Sequence, residues 1–185
     1  MDGIIAEQLA VYLNLKPLPV EGGLFARTYL SQDEIRGYAL PARYSGQTHA
    51  SGSAIFMLYT DEPDCFSAMH RLKTDEIIHF YLGDPFEFLL LYPDGSSRIV
   101  TMGQDILNGQ WVQFVVPAGV WQGSRLKPGG KFALFGTTMA PAFHATDFEA
   151  AERQSLIAAY PHEEERITLL TRLEGDRFMQ SGQEA

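Results

Sequence analysis

SAMHRLKTDEIIHFYLGDP, residues 67–85, is the stretch of sequence that decides the fold. Apolar and polar residues alternate on both sides of the central Lys-Thr-Asp, which is typical of two β-strands joined by a tight turn. The same stretch contains two histidines, His70 and His79, and the acidic residue Glu76. It is therefore compatible with three hypotheses: a metal site, an acid–base pair, or a polar patch at the end of a strand.

Similar strand-like segments recur on both sides of this stretch. They follow one another about every ten residues from residue 53 to residue 140, with no helical pattern between them. An earlier segment, Leu24–Leu30, follows a Gly-Gly turn and also has the pattern of a strand. This spacing predicts an antiparallel β-sandwich or barrel and argues against alternating strands and helices.

The two ends of the chain have helical patterns instead. Apolar residues spaced four apart predict a short helix within residues 1–16, and a similar spacing predicts helices within residues 146–173. Residues 174–185 have no such pattern and are predicted to be a tail. We therefore expect one domain over all 185 residues, with the barrel at residues 20–143.

Composition excludes several classes of function. The formal net charge is −9 and the chain contains no run of Lys or Arg. The cluster of basic residues that a nucleic-acid-binding protein needs to contact phosphates is therefore lacking. The single cysteine, Cys65, excludes an internal disulfide and is typical of a reducing compartment. The N-terminus lacks the features of a signal peptide, and no apolar run reaches the length of a membrane span. We expect a cytoplasmic protein that binds neither nucleic acid nor membrane.

Two spaced motifs resemble those of the cupin superfamily. The first cupin motif runs G-x5-H-x-H-x(3,4)-E-x6-G, and His70, Glu76 and Gly83 match its first histidine, its glutamate and its final glycine. The second runs G-x5-P-x-G-x2-H-x3-N and is similar to GQWVQFVVPAGVWQG, in which Pro117 and Gly119 match the P-x-G core. The distance between the two motifs suits a small cupin jelly roll.

Four longer blocks are similar to one branch of the cupins, the domain of unknown function 985 family. They are PVEGGLFARTYLS, FSAMHRLKTDEIIHFYLGDPFEFLLLYPDG, QFVVPAGVWQGSRL and APAFHATDFE, and they occur in order. The resemblance implies an all-β-dominated fold, the double-stranded β-helix or RmlC-like cupin jelly roll, with a short N-terminal helix and C-terminal helices. It also implies a homodimer and one cavity of small-molecule size in each barrel, but no particular reaction.

The resemblance raises the question of a divalent metal. Cupin metal sites use three histidines and a glutamate, because imidazole and carboxylate groups bind divalent transition metals. Only His70 and Glu76 match, while Leu72 and Gln122 stand where two further histidines would be. His79 could complete a shell of His70, Glu76, His79 and Gln122. Alternation along a strand, however, places Glu76 and His79 on opposite faces unless a β-bulge intervenes.

Several further residues are candidates for ligand binding, and each has a structural alternative. Trp121 could form the floor of a pocket or could fill the barrel end. Arg71 and Arg27 could bind an anionic ligand, or could be solvated at strand edges. The candidates for ligand binding are His79, Gln122, Trp121, Tyr81, Arg71 and Arg27. The histidines expected to be exposed are His49, His144 and His162.

Without a metal, the chemistry left to the site is proton transfer. A histidine within hydrogen-bond reach of a glutamate in an apolar barrel forms an acid–base pair, since burial can move both pKa values toward neutrality. We therefore predict that His70 and Glu76 are catalytic and act on a small polar ligand, either carbohydrate-like or a carboxylate. Sugar-nucleotide epimerases share the cupin barrel, so analogy suggests an epimerase or isomerase. The alternatives are a non-catalytic small-molecule-binding module and a divalent-metal-dependent enzyme with an incomplete His/Glu shell.

Overall fold

The structure is a computed structural model that describes residues 5–172, and β-strands dominate it. Within these residues the strands are, in chain order, β1 (Lys16–Pro17), β2 (Leu24–Leu30), β3 (Glu34–Ile35), β4 (His49–Ala50), β5 (Ser53–Thr60), β6 (Ser67–Leu72), β7 (Glu76–Gly83), β8 (Phe86–Leu91), β9 (Ser97–Met102), β10 (Gln113–Val116), β11 (Trp121–Leu126), β12 (Phe132–Met139) and β13 (Phe148–Ala150). Short 3-10 turns lie at Gly37–Ala39, Ala42–Tyr44, Ile106–Asn108, Ala145–Asp147 and Pro161–Glu163.

Two large antiparallel sheets face each other. One contains six strands in the order β1-β2-β5-β12-β7-β10, the other contains five in the order β13-β6-β11-β8-β9, and β3 pairs with β4 separately. Strands that follow one another in the chain, such as β5, β6 and β7, fall in alternate sheets. This repeated crossing is the topology of a jelly roll, and the predicted double-stranded β-helix is confirmed.

The space between the sheets has an apolar half and a polar half. In the apolar half the ring of Phe86 lies 4.6 Å from the ring of Phe135 and 5.5 Å from that of Tyr59, measured between centroids. Burial of each large apolar side chain stabilises the fold by about 1.5–3 kcal/mol. Other buried members of this cluster are Met57, Ile78, Phe80, Phe88, Leu90, Val100 and Met102. These side chains hold the sheets together at one end, and the polar side chains collect at the other.

Three short helices lie outside the barrel: α1 (Ala6–Tyr12), α2 (Arg153–Ala159) and α3 (Glu164–Leu169). Leu156 of α2 and Ile167 of α3 pack against Met69 and Leu89 on the outer face of the five-stranded sheet. Helix α1 is shorter than the segment predicted within residues 1–16, and the predicted tail at 174–185 lies outside the described residues. Within residues 5–172 no helix is long and apolar enough to cross a membrane.

The first part of the predicted C-terminal helical segment is a strand, which corrects the sequence-based expectation. Phe148–Ala150 forms β13 and pairs with the edge strand β6. Helix α2 begins only after Glu152, whose carboxylate accepts hydrogen bonds from the backbone nitrogens of Gln154 at 3.1 Å and Ser155 at 2.6 Å. A capping carboxylate satisfies backbone donors that the first helical turn leaves unpaired. The helix therefore begins at its cap and not at the first apolar residue of the pattern.

Strand β11 was not predicted from the sequence. It lies between β6 and β8 in the five-stranded sheet, where an apolar strand would be expected. Its central residues, Gln122, Gly123 and Ser124, have low strand propensity. They form a strand here because the inward-facing Gln122 and Ser124 meet other polar side chains inside the barrel.

Candidate functional site

A β-bulge in β6 directs two polar side chains into the barrel. Gln122 on β11 lies opposite His70, but Ser124, two residues further along β11, lies opposite Ser67, three residues back along β6. The extra residue in β6 lets Ser67 and His70 share the inner face, although simple alternation would separate them. The bulge therefore brings His70 into the barrel interior beside Gln122.

Gln122 links the two sheets across the interior. Its amide Nε2 donates a hydrogen bond of 2.7 Å to Oε2 of Glu76 on β7. Both side chains are buried, with relative exposures of 1% for Gln122 and 9% for Glu76. The amide oxygen of Gln122 has no hydrogen-bond partner among the described residues. A buried polar atom without a partner costs about 1–3 kcal/mol, so a donor group placed there would be stabilised.

The ring of His70 is held in one orientation. Its Nδ1 lies 2.8 Å from the backbone oxygen of Ala68, and the ring stacks on Phe148 at 5.1 Å between centroids. A carbonyl oxygen only accepts, so Nδ1 carries the hydrogen and donates it, which leaves Nε2 of the neutral ring as the proton acceptor. His70 is buried, with 3% relative exposure. The residue is therefore oriented to act as a base.

Glu76 lies in an environment that favours its protonated form. Burial raises the pKa of the Glu76 carboxyl, and the nearby carboxylate of Glu21 raises it further. A positive charge on His70, when its ring is protonated, and hydrogen bonds from Gln122 and Thr137 lower the pKa, but it stays above its ordinary value of 4.5. Glu76 thus keeps its proton to a higher pH than a solvated glutamate would, and it can act as an acid.

Glu21 is a member of this site that sequence analysis missed. Its Oε1 accepts a hydrogen bond of 2.9 Å from Oγ of Ser67, and its carboxylate acts on the pKa of both Glu76 and Tyr59. The residue precedes Gly22 in the PVEGGLFARTYLS block, which was the available signal. Its position in a loop, outside any strand pattern, gave no indication that the side chain would enter the barrel.

Two small cavities adjoin at this polar end. The inner cavity has a volume of about 10 Å³, and His70, Glu76 and Gln122 are among its lining residues. The outer cavity has a volume of about 40 Å³ and is lined partly by Arg27. Glu21 and Glu76 line both cavities. A volume of roughly 10–15 Å³ accommodates one water molecule, so the inner cavity is water-sized as it stands.

His79 does not join this cluster. It lies on the outer face of β7, where its Nε2 is 2.9 Å from Oγ1 of Thr138 and its Nδ1 is 3.2 Å from Nε2 of Gln113. The irregularity in the pairing of β7 with β12 falls after Phe80, so it does not bring His79 onto the face that carries Glu76. The bulge that would have placed both side chains inside is absent from this part of β7.

The residues present do not fit a cupin metal centre. His70 and Glu76 face the inner cavity, but Leu72 replaces one histidine, and Gln122 donates its amide nitrogen to Glu76. Since His79 lies outside, the proposed four-residue shell is not assembled. Across residues 5–172, no group of three His, Cys, Asp or Glu side chains is arranged to hold a metal ion.

Three of the other candidates lie on outer faces, and one lies at the outer cavity. Arg71 donates two hydrogen bonds, of 2.8 and 2.9 Å, to Glu149 and stacks at 4.5 Å over the ring of Trp121. Tyr81 is 42% exposed on the outside of β7. Arg27 lines the outer cavity. Arg71, Trp121 and Tyr81 are therefore not brought together with His70 and Glu76.

His49, expected to be exposed, is buried with 3% relative exposure. Its Nε2 lies 2.6 Å from Oδ2 of Asp147, and its Nδ1 lies 3.0 Å from the backbone oxygen of Gln47. Both ring nitrogens face acceptor oxygens, and the His49–Asp147 pair is buried. Lys73 lies 3.4 Å from the other oxygen of Asp147, as an ion pair but not a hydrogen bond. The pair joins β4 to the turn before β13.

A larger cleft lies on the surface, away from the polar end of the barrel. It has a volume of about 950 Å³ and runs between α1 and the segment 60–65. None of the residues predicted for the site lines it. The candidate site is therefore assigned to the barrel interior, where His70, Glu76 and Gln122 with its unpartnered amide oxygen occur together.

Comparisons with known proteins agree with this fold. The family model described as "Cupin superfamily (DUF985)" matches residues 7–151. The uncharacterized protein YML079W of Saccharomyces cerevisiae is 30% identical over 134 residues, which cover 70% of this chain and 65% of the yeast protein. The match thus spans less than two thirds of the yeast protein.

Two solved structures are similar over nearly the whole chain. Protein SO0799 from Shewanella oneidensis is 29% identical, with a TM-score of 0.79 and coverage of 93% of this chain and 100% of that one. A hypothetical protein from Leishmania major is 25% identical, with a TM-score of 0.81 and coverage of 92% and 100%. The similarity to these two structures supports the fold, and neither protein's name states a reaction.

Proposed function

The chain belongs to the DUF985 family of the cupin superfamily, and from that premise we propose that its barrel binds a small polar ligand, carbohydrate-like or a carboxylate. His70, Glu76 and Gln122 contact this ligand. If the protein is an enzyme, its chemistry is proton transfer of the epimerase or isomerase type, with His70 as base and Glu76 as acid.

One observation supports this proposal above the others: the buried amide oxygen of Gln122 has no partner and borders the cavity that His70 and Glu76 also line. Buried polar atoms in folded proteins are nearly always paired. The unpaired acceptor beside His70 and Glu76 is a position at which a hydrogen-bond donor of a ligand would be stabilised.

The geometry matches the demands of proton transfer at a carbon atom. The free Nε2 of His70 can take a proton, and the protonated carboxyl of Glu76 can return one. Gln122 holds the Glu76 carboxyl through its 2.7 Å hydrogen bond, so the acid does not have to be oriented during the reaction. General acid–base catalysis of this kind contributes about 10²–10⁴ in rate.

Ligand entry requires the two cavities to join. Together they have a volume well below that of a sugar, and Glu21 lies along both. Movement of the Glu21 side chain would merge them and open the inner cavity toward Arg27. The ligand-bound barrel therefore differs from the closed one in the conformation of the Glu21 side chain, while the backbone of its loop stays in place.

Deuterium exchange tests the proposal. The protein is incubated in D₂O with free hexoses, sugar nucleotides and 2-hydroxy acids, and incorporation at C–H positions is followed by NMR. We expect exchange in at least one compound with the wild-type protein, and a loss of about 100-fold or more in His70→Asn and Glu76→Gln.

The matched control is His79→Asn, the same chemical change on the outer face of β7. It should leave exchange unchanged. If none of the compounds exchanges while one of them binds in the barrel, the non-catalytic binding module replaces the enzyme. If His79→Asn abolishes exchange and His70→Asn does not, the site is misassigned.

A further inference from the structure

The position of Glu21 points to the charge of the ligand. We propose that Glu21 is a specificity-determining residue of the barrel site and that, together with Glu76, it selects a ligand carrying a positively charged ammonium group. This inference rests on the function proposed above, and it narrows the class of small polar ligand.

Glu21 is fixed in place by contacts at both its backbone and its side chain. The backbone nitrogen of Ala68 donates a hydrogen bond of 2.8 Å to its carbonyl oxygen, and Oγ of Ser67 donates one of 2.9 Å to its carboxylate. The guanidinium of Arg172 donates to the carbonyl oxygens of Val20 at 3.0 Å and Glu21 at 3.3 Å. Loop carboxylates on a protein surface do not receive this support.

The backbone has a positive φ on both sides of Glu21. Val20 has a φ of +66° and Gly22 has a φ of +101°. A β-branched residue at positive φ is rare, so the surrounding structure must enforce it at Val20. At Gly22 a Cβ would lie 2.3 Å from the carbonyl oxygen of Phe66. The loop is therefore shaped to carry the Glu21 side chain into the barrel.

The inner cavity contains hydrogen-bond acceptors and lacks cationic side chains. Glu21, Glu76 and His70 line it, and no Lys or Arg of the described residues does. The amide oxygen of Gln122, which is 99% buried, is an acceptor without a donor. The two carboxyl groups, the Gln122 amide and the His70 imidazole thus belong to residues that line one small space, and an ammonium group has three N–H donors and a positive charge to offer them.

Alternatives to an ammonium group meet specific obstacles. An anionic ligand would bring a second negative charge beside Glu21, which a low-dielectric interior penalises. A neutral polyol could donate hydrogen bonds but would leave the charge of Glu21 uncompensated. A divalent metal would need a set of ligands that residues 5–172 do not assemble.

Three matched probes of similar size test the inference: ethanolamine, ethylene glycol and glycolate, which are positive, neutral and negative at pH 7. Their binding is measured by titration while the ring ¹⁵N signals of His70 are followed by NMR. We expect ethanolamine to bind at least about tenfold more tightly than either of the others, because charge-assisted hydrogen bonds are stronger than neutral ones.

The variant Glu21→Gln keeps the hydrogen bond to Ser67 and removes only the charge. It should weaken ethanolamine binding about tenfold or more, because the charge-assisted hydrogen bond from the ammonium group to Glu21 is lost. The binding of ethylene glycol should stay unchanged. Glu34→Gln, at an exposed position, is the control and should change the binding of neither ethanolamine nor ethylene glycol. A merely structural role for Glu21 would weaken all the probes alike.

The outcomes separate this inference from the proposed function. Equal or tighter binding of ethylene glycol or glycolate overturns the charge preference and leaves the barrel site standing. Binding of Mn²⁺ or Zn²⁺ at one equivalent, lost in Glu21→Gln, replaces the ammonium group with a metal and overturns the inference. If ethanolamine binds in the barrel but no sugar binds or exchanges, the carbohydrate-like function fails and the charge preference survives.

Discussion

The amide nitrogen of Gln122 donates a 2.7 Å hydrogen bond to the carboxylate of Glu76 across the barrel, from one sheet to the other. Both side chains are buried. The bond fixes the Glu76 carboxyl beside His70, and it leaves the amide oxygen of Gln122 facing the cavity without a partner.

The cross-sheet bond should contribute measurably to stability. Gln122→Met keeps the volume but removes the donor, so the free energy of unfolding should fall by about 1–3 kcal/mol at pH 7. This change is measured by urea denaturation, with unfolding monitored by circular dichroism. Gln113→Met is the control, because Gln113 is exposed and bonds only the outer-face His79; we expect a change below about 0.5 kcal/mol. Equal losses in the two variants would show that the buried bond contributes no more to stability than the exposed one.

The raised pKa of Glu76 predicts a pH dependence of stability with a definite sign. Between its ordinary pKa of 4.5 and its raised value, folded Glu76 binds more protons than unfolded Glu76, so the stability of the wild-type protein falls as pH rises. Glu76→Gln removes this loss. The variant's stability relative to wild type should therefore increase with pH, by up to about 1.4 kcal/mol per pH unit within that window.

Urea denaturation of both proteins from pH 4 to pH 8 measures this difference, and Glu34→Gln supplies the exposed control. The groups that face Glu76, namely Glu21, His70, Gln122 and Thr137, are unchanged in the variant. A difference that stays constant with pH, or one that shrinks as pH rises, contradicts the raised pKa.

The buried His49–Asp147 pair should be far more costly to break than an exposed pair. Asp147→Asn removes the buried carboxyl oxygen that bonds His49, so we expect a loss of about 3–5 kcal/mol. Glu149→Gln disrupts the exposed pair with Arg71, in which the side chains are 41% and 55% exposed, and should cost less than about 1 kcal/mol. Comparable losses in the two variants, by urea denaturation at pH 7, would show that burial does not strengthen the His49–Asp147 pair.

The β6 bulge that turns His70 inward depends on Gly123. A Cβ at Gly123 would lie 2.6 Å from Sδ of Met69, so Gly123→Ala should destabilise the protein by about 1–3 kcal/mol through overpacking. Met69→Ala alone creates a cavity and should cost about 2–5 kcal/mol. The double variant should lose less than the sum, with a coupling of about 1 kcal/mol or more. Additive losses would mean that the two side chains do not compete for this space.

The fold and the central pair of the site were predictable from sequence because they depend on local patterns. Alternation located most strands, and the motif spacing placed His70 and Glu76 at matching positions of one barrel. The same alternation placed His79 on the opposite face from Glu76, and the structure has it there, bonded to Thr138.

The features that were missed depend on contacts between distant parts of the chain. The centre of strand β11, Gln122–Ser124, lacks large apolar residues because its partners inside the barrel are polar. Glu21 enters the barrel because Ser67 and Arg172 hold its loop, and His49 is buried because Asp147, 98 positions away, pairs with it. No local pattern around Glu21 or His49 encodes these contacts.

The proposed function requires that a ligand in the barrel contacts His70. Its most direct test is NMR of the protein with ¹⁵N-labelled histidine, titrated with glucose, glucosamine and glucuronate, which cover the three charge classes. We predict that at least one sugar shifts the ring signals of His70 and leaves those of His79 in place, and that Gln122→Met reduces this response. If none of the three sugars moves the His70 signals, or if the one that binds moves those of His79 instead, the assignment of the barrel interior as the binding site is contradicted.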